Sequence, residues 1–125
     1  VAGLVTDGGF RDAAEIAKLD MPSFHARPSA PTNLTRHQAV DNKVPMGCGD
    51  ARVWPGDVIV GDGDGVVVIP AHLADEIAGE AVEMTAFEDF VTEKVHEGRS
   101  ILGLYPPTDP QTQTDFAEWR KRVGR

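Results

Sequence analysis

The sequence predicts an α/β fold, and three observations carry that expectation. Near its start a short apolar stretch runs into glycines and then into an alanine-rich segment, the order strand, turn, helix. In mid-chain two β-branched runs flank Gly61-Asp62-Gly63-Asp64-Gly65, which reads as a hairpin. After Pro70 the spacing of apolar residues changes from the alternation of a strand to the helical period of about 3.6 residues.

Taken in order, residues 1–5 read as a buried strand and Asp7-Gly8-Gly9 as a tight turn. Asp12 stands at the start of a helix in which Ala13, Ala14 and Ala17 have high propensity. Ile16 and Leu19 give that helix one apolar edge, and Pro22 forbids its continuation. Residues 23–26 can form a short strand. Residues 33–46, polar but with Leu34, His37, Ala39 and Val40 interspersed, read as another that reaches Val44-Pro45.

Val53-Trp54-Pro55-Gly56 is then a turn, 57–60 a strand, 61–65 a turn and 66–69 a second buried strand. Leu73, Ile77, Ala81, Met84, Phe87, Val91 and Val95 make one stripe of a helix over 71–97, which Gly98 ends. Its other face carries Asp75, Glu76, Glu80, Glu83, Asp89, Glu93 and Glu97. Residues 102–107 read as an extended exit, and 109–123 as a shorter helix or tail in which Phe116 and Trp119 offer subunit contacts.

A chain of 125 residues with 41% apolar content suits one domain, so 1–125 is read as a single one with 106–125 as its tail or subunit-contact helix. Twelve basic against 20 acidic residues give a net charge of −8, which argues against a nucleic-acid or anionic-membrane surface. Such a surface suits solubility or a basic protein partner. The lone Cys48 excludes an internal disulfide framework and multi-cysteine zinc modules, and fits a reducing cytoplasm. No apolar run approaches the roughly 18–20 residues that span a bilayer. The opening VAGLVTDGG, a strand running at once into glycines, reads as a chain entered partway through a domain.

The string from Asp7 to Glu15 is the densest in chemistry. A glycine turn at the carboxyl end of a strand presents backbone amides where open α/β sheets bind ligands, which makes Gly9 a candidate substrate-binding residue. Arg11 offers a planar fork to a carboxylate, and Asp12 offers oxygen to a hard cation. Glu15 follows one helical turn later and can share that face. Spacing alone leaves open that Asp12 merely caps the helix and that Arg11 pairs with a surface acid. Elsewhere, Asp62-Gly-Asp64-Gly resembles the start of a calcium loop but lacks the later acids, so it reads as a turn. His25, His37, His72 and His96 have no zinc-site spacing, and Cys48 has no neighbouring base.

Four strings in order resemble the RraA-like family, which includes the class II 4-hydroxy-4-methyl-2-oxoglutarate aldolases and the regulator of ribonuclease E activity A. They are Gly3-Leu4-Val5-x-Asp7-Gly8-Gly9-Phe10-Arg11-Asp12, residues 55–62 (PGDVIVGD), residues 65–70 (GVVVIP) and residues 103–106 (GLYP). The resemblance implies a swivelling ββα sandwich, present here as an incomplete domain lacking its N-terminal segment. It also implies a homotrimer or a hexamer of two trimers.

By the same resemblance Arg11 binds the substrate carboxylate and Asp12 holds Mg²⁺ or Mn²⁺, largely through water, with Glu15 at the following acidic position. Glu88 best matches a catalytic glutamate that a neighbouring subunit contributes from the long helix. A further aspartate and a glycine-containing loop of the family site would fall ahead of Val1. The implied activity is metal-dependent cleavage of a C–C bond in a small 2-oxo acid, of 4-hydroxy-4-methyl-2-oxoglutarate or oxaloacetate type, releasing pyruvate. The alternative is a non-catalytic regulator that binds a ribonuclease through its acidic surface, and a third reading is a degenerate structural homologue.

Overall fold

A computed structural model describes residues 2–32 and 38–125. The described chain divides into two compact units, Val1–Ala74 and Asp75–Arg125. Unit 1 holds all the strands and unit 2 is helical, so strands and helices are combined as an α/β chain requires.

In unit 1, β1 (Leu4–Phe10) pairs in parallel with β2 (Ser23–Pro28), and α1 (Ala13–Ile16) lies on the crossover between them. Parallel strands need such a crossover, because a tight turn can only return the chain antiparallel. Two antiparallel hairpins follow, β3 (Met46–Cys48) with β4 (Ala51–Val53) and β5 (Val58–Gly61) with β6 (Val66–Ile69). In the second, Val58 faces Ile69 and Gly61 faces Val66, the register that a turn over 62–65 dictates. Asp62 builds that turn, its carboxylate accepting the amides of Asp64 and Gly65 at 2.8 and 3.2 Å. Those oxygens serve the backbone, as expected of a turn rather than a calcium loop.

Several expectations need correction. Asp7-Gly8-Gly9 is not a turn: β1 runs through it to Phe10, with an irregularity in pairing between Thr6 and Gly9. The first helix is one turn long and stops at Ile16, well before Pro22. Of the strand expected over 33–46, residues 33–37, including Leu34 and His37, lie outside the described residues. Residues 38–45 are not strand, and pairing starts at Met46. The chain over 102–107 bends rather than extends, and it carries Leu104 into full burial.

Unit 2 is a helical pair, α2 (Ala74–His96) and α3 (Pro110–Val123). Gly98 ends α2 as expected, and the amide of Arg99 reaches back to the carbonyl of Lys94 at 2.9 Å. Asp109 caps α3 by accepting the Gln111 amide at 2.9 Å, with Pro110 in the first turn. The core joins Phe90, Val91, Leu104 and Trp119, with Phe87 and Phe116 packed on it. Phe90 lies 5.5 Å from Phe116 and 6.0 Å from Trp119 between ring centroids, within the range of favourable aromatic pairs.

This arrangement rotates the buried face away from the expected stripe. Phe90, which the stripe omits, is fully buried, whereas Met84 and Val95 are exposed. Trp119 is likewise part of the core of unit 2 rather than a free anchor. Charge follows the packing, because the last turn of α3 meets the acidic face of α2. Arg120 pairs with Glu83, Arg122 with Glu93 and Arg125 with Asp89. Arg99 bridges back to Asp115 at 2.5 Å and donates to Thr112 Oγ1 at 3.1 Å.

Candidate functional site

The parallel pair sets the position of the Arg11-Asp12 turn. Within β1 the Gly8 amide donates to Thr6 Oγ1 at 3.0 Å, which accommodates the irregular pairing. Gly9 passes so close to the chain beyond β2 that an added Cβ would lie 2.7 Å from Ser29 Cβ and 2.9 Å from the Arg27 carbonyl oxygen. Only glycine fits there. The Ser29 amide then donates to the Phe10 carbonyl at 2.7 Å, and the Phe10 ring stacks on His25 with centroids 4.9 Å apart. The strand end is therefore pinned from both sides before Arg11 begins. Gly9 earns its place by close approach, not as the centre of an amide-presenting turn.

Asp12 follows in the left-handed region, with φ 58° and ψ 30°. Aspartate is one of the few residues that tolerate this conformation, and it is uncommon enough to point to a role. The Asp12 carbonyl accepts the amides of Glu15 and Ile16, each at 3.0 Å, so the backbone starts α1. Its carboxylate caps nothing. That side chain is 69% exposed, with Arg11 Nε 3.7 Å from one of its oxygens. Helix capping, which spacing left open for Asp12, is thus not what its side chain does. Arg11 does have an acidic neighbour, and that neighbour is Asp12 itself.

Glu15 is on α1, and its carboxylate accepts Lys18 Nζ at 2.7 Å in an exposed pair. The structure thus brings Arg11, Asp12 and Glu15 into one exposed segment following Gly9. Glu88 belongs to unit 2, where it is exposed on α2 beside a shallow groove lined by Met84, Phe87, Tyr105 and Phe116.

Hard oxygen donors such as Asp12 suit Mg²⁺ or Mn²⁺. Among the described residues no group of three or more His, Cys, Asp or Glu side chains converges on one point. A single free carboxylate nevertheless fits a cation that keeps several of its waters, as Mg²⁺ does when one or two carboxylates hold it.

Sequence reasoning missed two features near this segment. Asp7 Oδ2 accepts the Gly49 amide at 2.9 Å, tying β1 to the turn between β3 and β4. His25 Nε2 is buried without a hydrogen-bond partner. Neither has a local signal, because each arises from a strand pairing between distant parts of the chain. A cleft of about 420 Å³ brings Asp7, His25, Cys48, Asp62 and Asp64 to its walls. A larger cavity of about 620 Å³ lies in the same unit with a mostly apolar lining.

Comparison with known proteins places these features in a family. The model of the RraA-like family, described as Aldolase/RraA, matches residues 1–68. A Halalkalibacterium halodurans protein bearing a provisional 4-hydroxy-4-methyl-2-oxoglutarate aldolase name is 33% identical over 90 residues, which are 71% of this chain and 42% of that protein. The crystal structure of an uncharacterized Pseudomonas syringae pv. tomato protein superposes with a TM-score of 0.78 at 28% identity, covering 84% of this chain and 52% of that one. Streptomyces coelicolor RraAS2, described as an unusual member of the RNase ES inhibitor RraA family, superposes with a TM-score of 0.55 at 32% identity over 70% of this chain and 45% of its own. The chain spans about half the length of the curated relatives it matches.

Proposed function

The chain belongs to the RraA-like family, and from that premise we propose that it forms part of a divalent-metal-dependent lyase that cleaves a C–C bond in small 2-oxo acids. The observation that carries this reading is the uncommitted carboxylate of Asp12, held in a left-handed backbone beside Arg11 at the end of a parallel strand. A conformation of this kind persists where the surroundings impose it, and such residues gather at functional sites. The aldolase name of one relative points the same way.

In this reading the Arg11 guanidinium takes the substrate carboxylate in a bidentate pair, fixing the 2-oxo group relative to Asp12. Gly9 keeps the strand end close enough for Arg11 to do so. Asp12 holds Mg²⁺ or Mn²⁺ mainly through water, with Glu15 joining once Lys18 releases it. The cation, when bound, supplies Lewis-acid polarisation of the 2-oxo group. Glu88 of a neighbouring subunit completes the site in a homotrimer or a hexamer of two trimers, working in the cytoplasm on substrates of 4-hydroxy-4-methyl-2-oxoglutarate or oxaloacetate type.

The test is pyruvate release from these two acids by the full-length protein with Mg²⁺ or Mn²⁺. Asp12→Asn keeps a side chain that tolerates the left-handed backbone while removing the charge. It is expected to lower kcat/KM by about a hundredfold or more while leaving the urea midpoint within about 0.5 kcal/mol of the parent. Equal turnover in parent and variant would reject the role.

A second reading, a non-catalytic regulator of a ribonuclease, draws on the description of the Streptomyces neighbour. The structure weakens its electrostatic basis. Glu83, Asp89 and Glu93, three of the acids on the face that would do the binding, are already paired with arginines of α3. Salt-sensitive binding to a basic ribonuclease segment, with no turnover of either oxo acid, would favour it.

A further inference from the structure

We propose that the apolar cavity of unit 1 is a docking surface for a further stretch of RraA-like polypeptide, which fills it with apolar side chains. The inference stands on the packing of unit 1 and not on the lyase reading. Among its described residues, unit 1 contains no fully buried side chain at all, although it has six strands. Instead Leu4, Val5, Phe24, Met46, Ile59 and Val68 line a space of about 620 Å³. These are the inward residues of a core with one wall absent.

The sheets carry the same message. Each has two strands, so every strand keeps an edge that no other described strand pairs. Two-stranded sheets are marginal in water unless something packs on them. The Phe24 ring does stand against Gly61, where an added Cβ would lie 2.6 Å from Cζ, so β2 and β5 meet at one margin of the cavity. The rest of the space is left to an occupant.

The lining decides what kind of occupant. It has no charged side chain, and Cys48 is its most polar one, so nothing orients a small polar ligand. Water would find too few partners there. A second copy would bring another net charge of −8 to the same face. Polypeptide of the same fold fits better. The Pseudomonas syringae structure superposes on 84% of this chain with only 52% of its own length, so as much chain again accompanies the same frame there.

The experiment co-expresses the 125-residue chain with the longer portion of the 33% identical relative that lies outside its match. The expected result is a one-to-one complex by native mass spectrometry. The dye ANS, bound by the chain alone, should be displaced, and the amides of Val5, Ile59 and Val68 should become protected from exchange. Ile59→Asp in the cavity wall should weaken the complex by about a hundredfold or more. The milder Val68→Ala should weaken it about tenfold, and Val82→Asp, on the exposed surface of α2, should leave it unchanged. The proposal is overturned if the chain alone excludes ANS and protects those amides, or if a homodimer does so. It also falls if no complex forms, or if Ile59→Asp binds as tightly as the parent.

Discussion

Gly9 shows how a single residue can be indispensable for a reason other than the one its context suggests. Its neighbours Asp7 and Gly8 read as a turn, and a turn glycine is recruited for backbone freedom. Here the constraint is space, with Ser29 Cβ and the Arg27 carbonyl on one side. Gly9→Ala is therefore expected to cost about 1–3 kcal/mol, read as a lowered urea midpoint in full-length protein. The double variant Gly9→Ala with Ser29→Gly should regain part of that loss, because it removes the nearer obstacle and leaves the carbonyl. No recovery would mean that the carbonyl alone sets the limit. Asp12 teaches the complementary lesson. Its residue type and its place after Arg11 were legible in the sequence, but its left-handed backbone was not, since that depends on how β1 ends against the chain beyond β2.

At the scale of elements, the long helix was legible in extent and stop signal, but its buried face was not. A stripe drawn through Met84 and Phe87 follows the period, yet the period does not say where a partner helix will lie. The α3 helix packs over the C-terminal half of α2, so Phe90 and Val91 are buried while Met84 is 58% exposed. Phe90→Ala is then expected to cost about 3–5 kcal/mol, and Met84→Ala less than about 0.5 kcal/mol, by loss of helical circular dichroism in urea. Comparable costs would restore the stripe. The same packing creates a pH dependence. The Trp119 indole N–H donates to Glu93 at 2.9 Å, and this bond, followed by that of Arg122, holds the carboxyl below its ordinary value of 4.5. A lowered folded value means that the ionised form stabilises the helical pair. That stabilisation is complete above pH 4.5 and is lost as pH falls from there through the folded value. Asp115, lowered by Gln111 and then Arg99, acts in the same sense. Glu93→Gln should lower stability at pH 7 and flatten the acid limb of the stability curve; an unchanged limb would remove Glu93 from it.

Across the whole molecule, the family was legible because four short strings in the right order constrain far more than any one of them, and the match over residues 1–68 agrees. The hairpin of β5 and β6 was legible too, since its strands are β-branched and its turn is unmistakable. The hairpin of β3 and β4 was not: three-residue strands are too short to display a period, and Met46-Gly47-Cys48 carries no β-branched residue. What no local pattern conveys is that the two units are unequally packed. Unit 2 has a core in which Phe90 and Leu104 are wholly inaccessible. Unit 1, among its described residues, has none to match. Opening free energies should follow that difference, because regions with few buried apolar contacts open locally. In native-state hydrogen exchange of the 125-residue chain, amides in β1, β2, β5 and β6 are expected to exchange through openings at least about 2 kcal/mol smaller than those of Phe90 and Val91. Added urea should then lower the unit 2 amides steeply, toward a common global limit, while those of unit 1 respond weakly at first. One shared isotherm for both sets would show instead that the chain unfolds as a single cooperative body, its strands as firmly held as its helices.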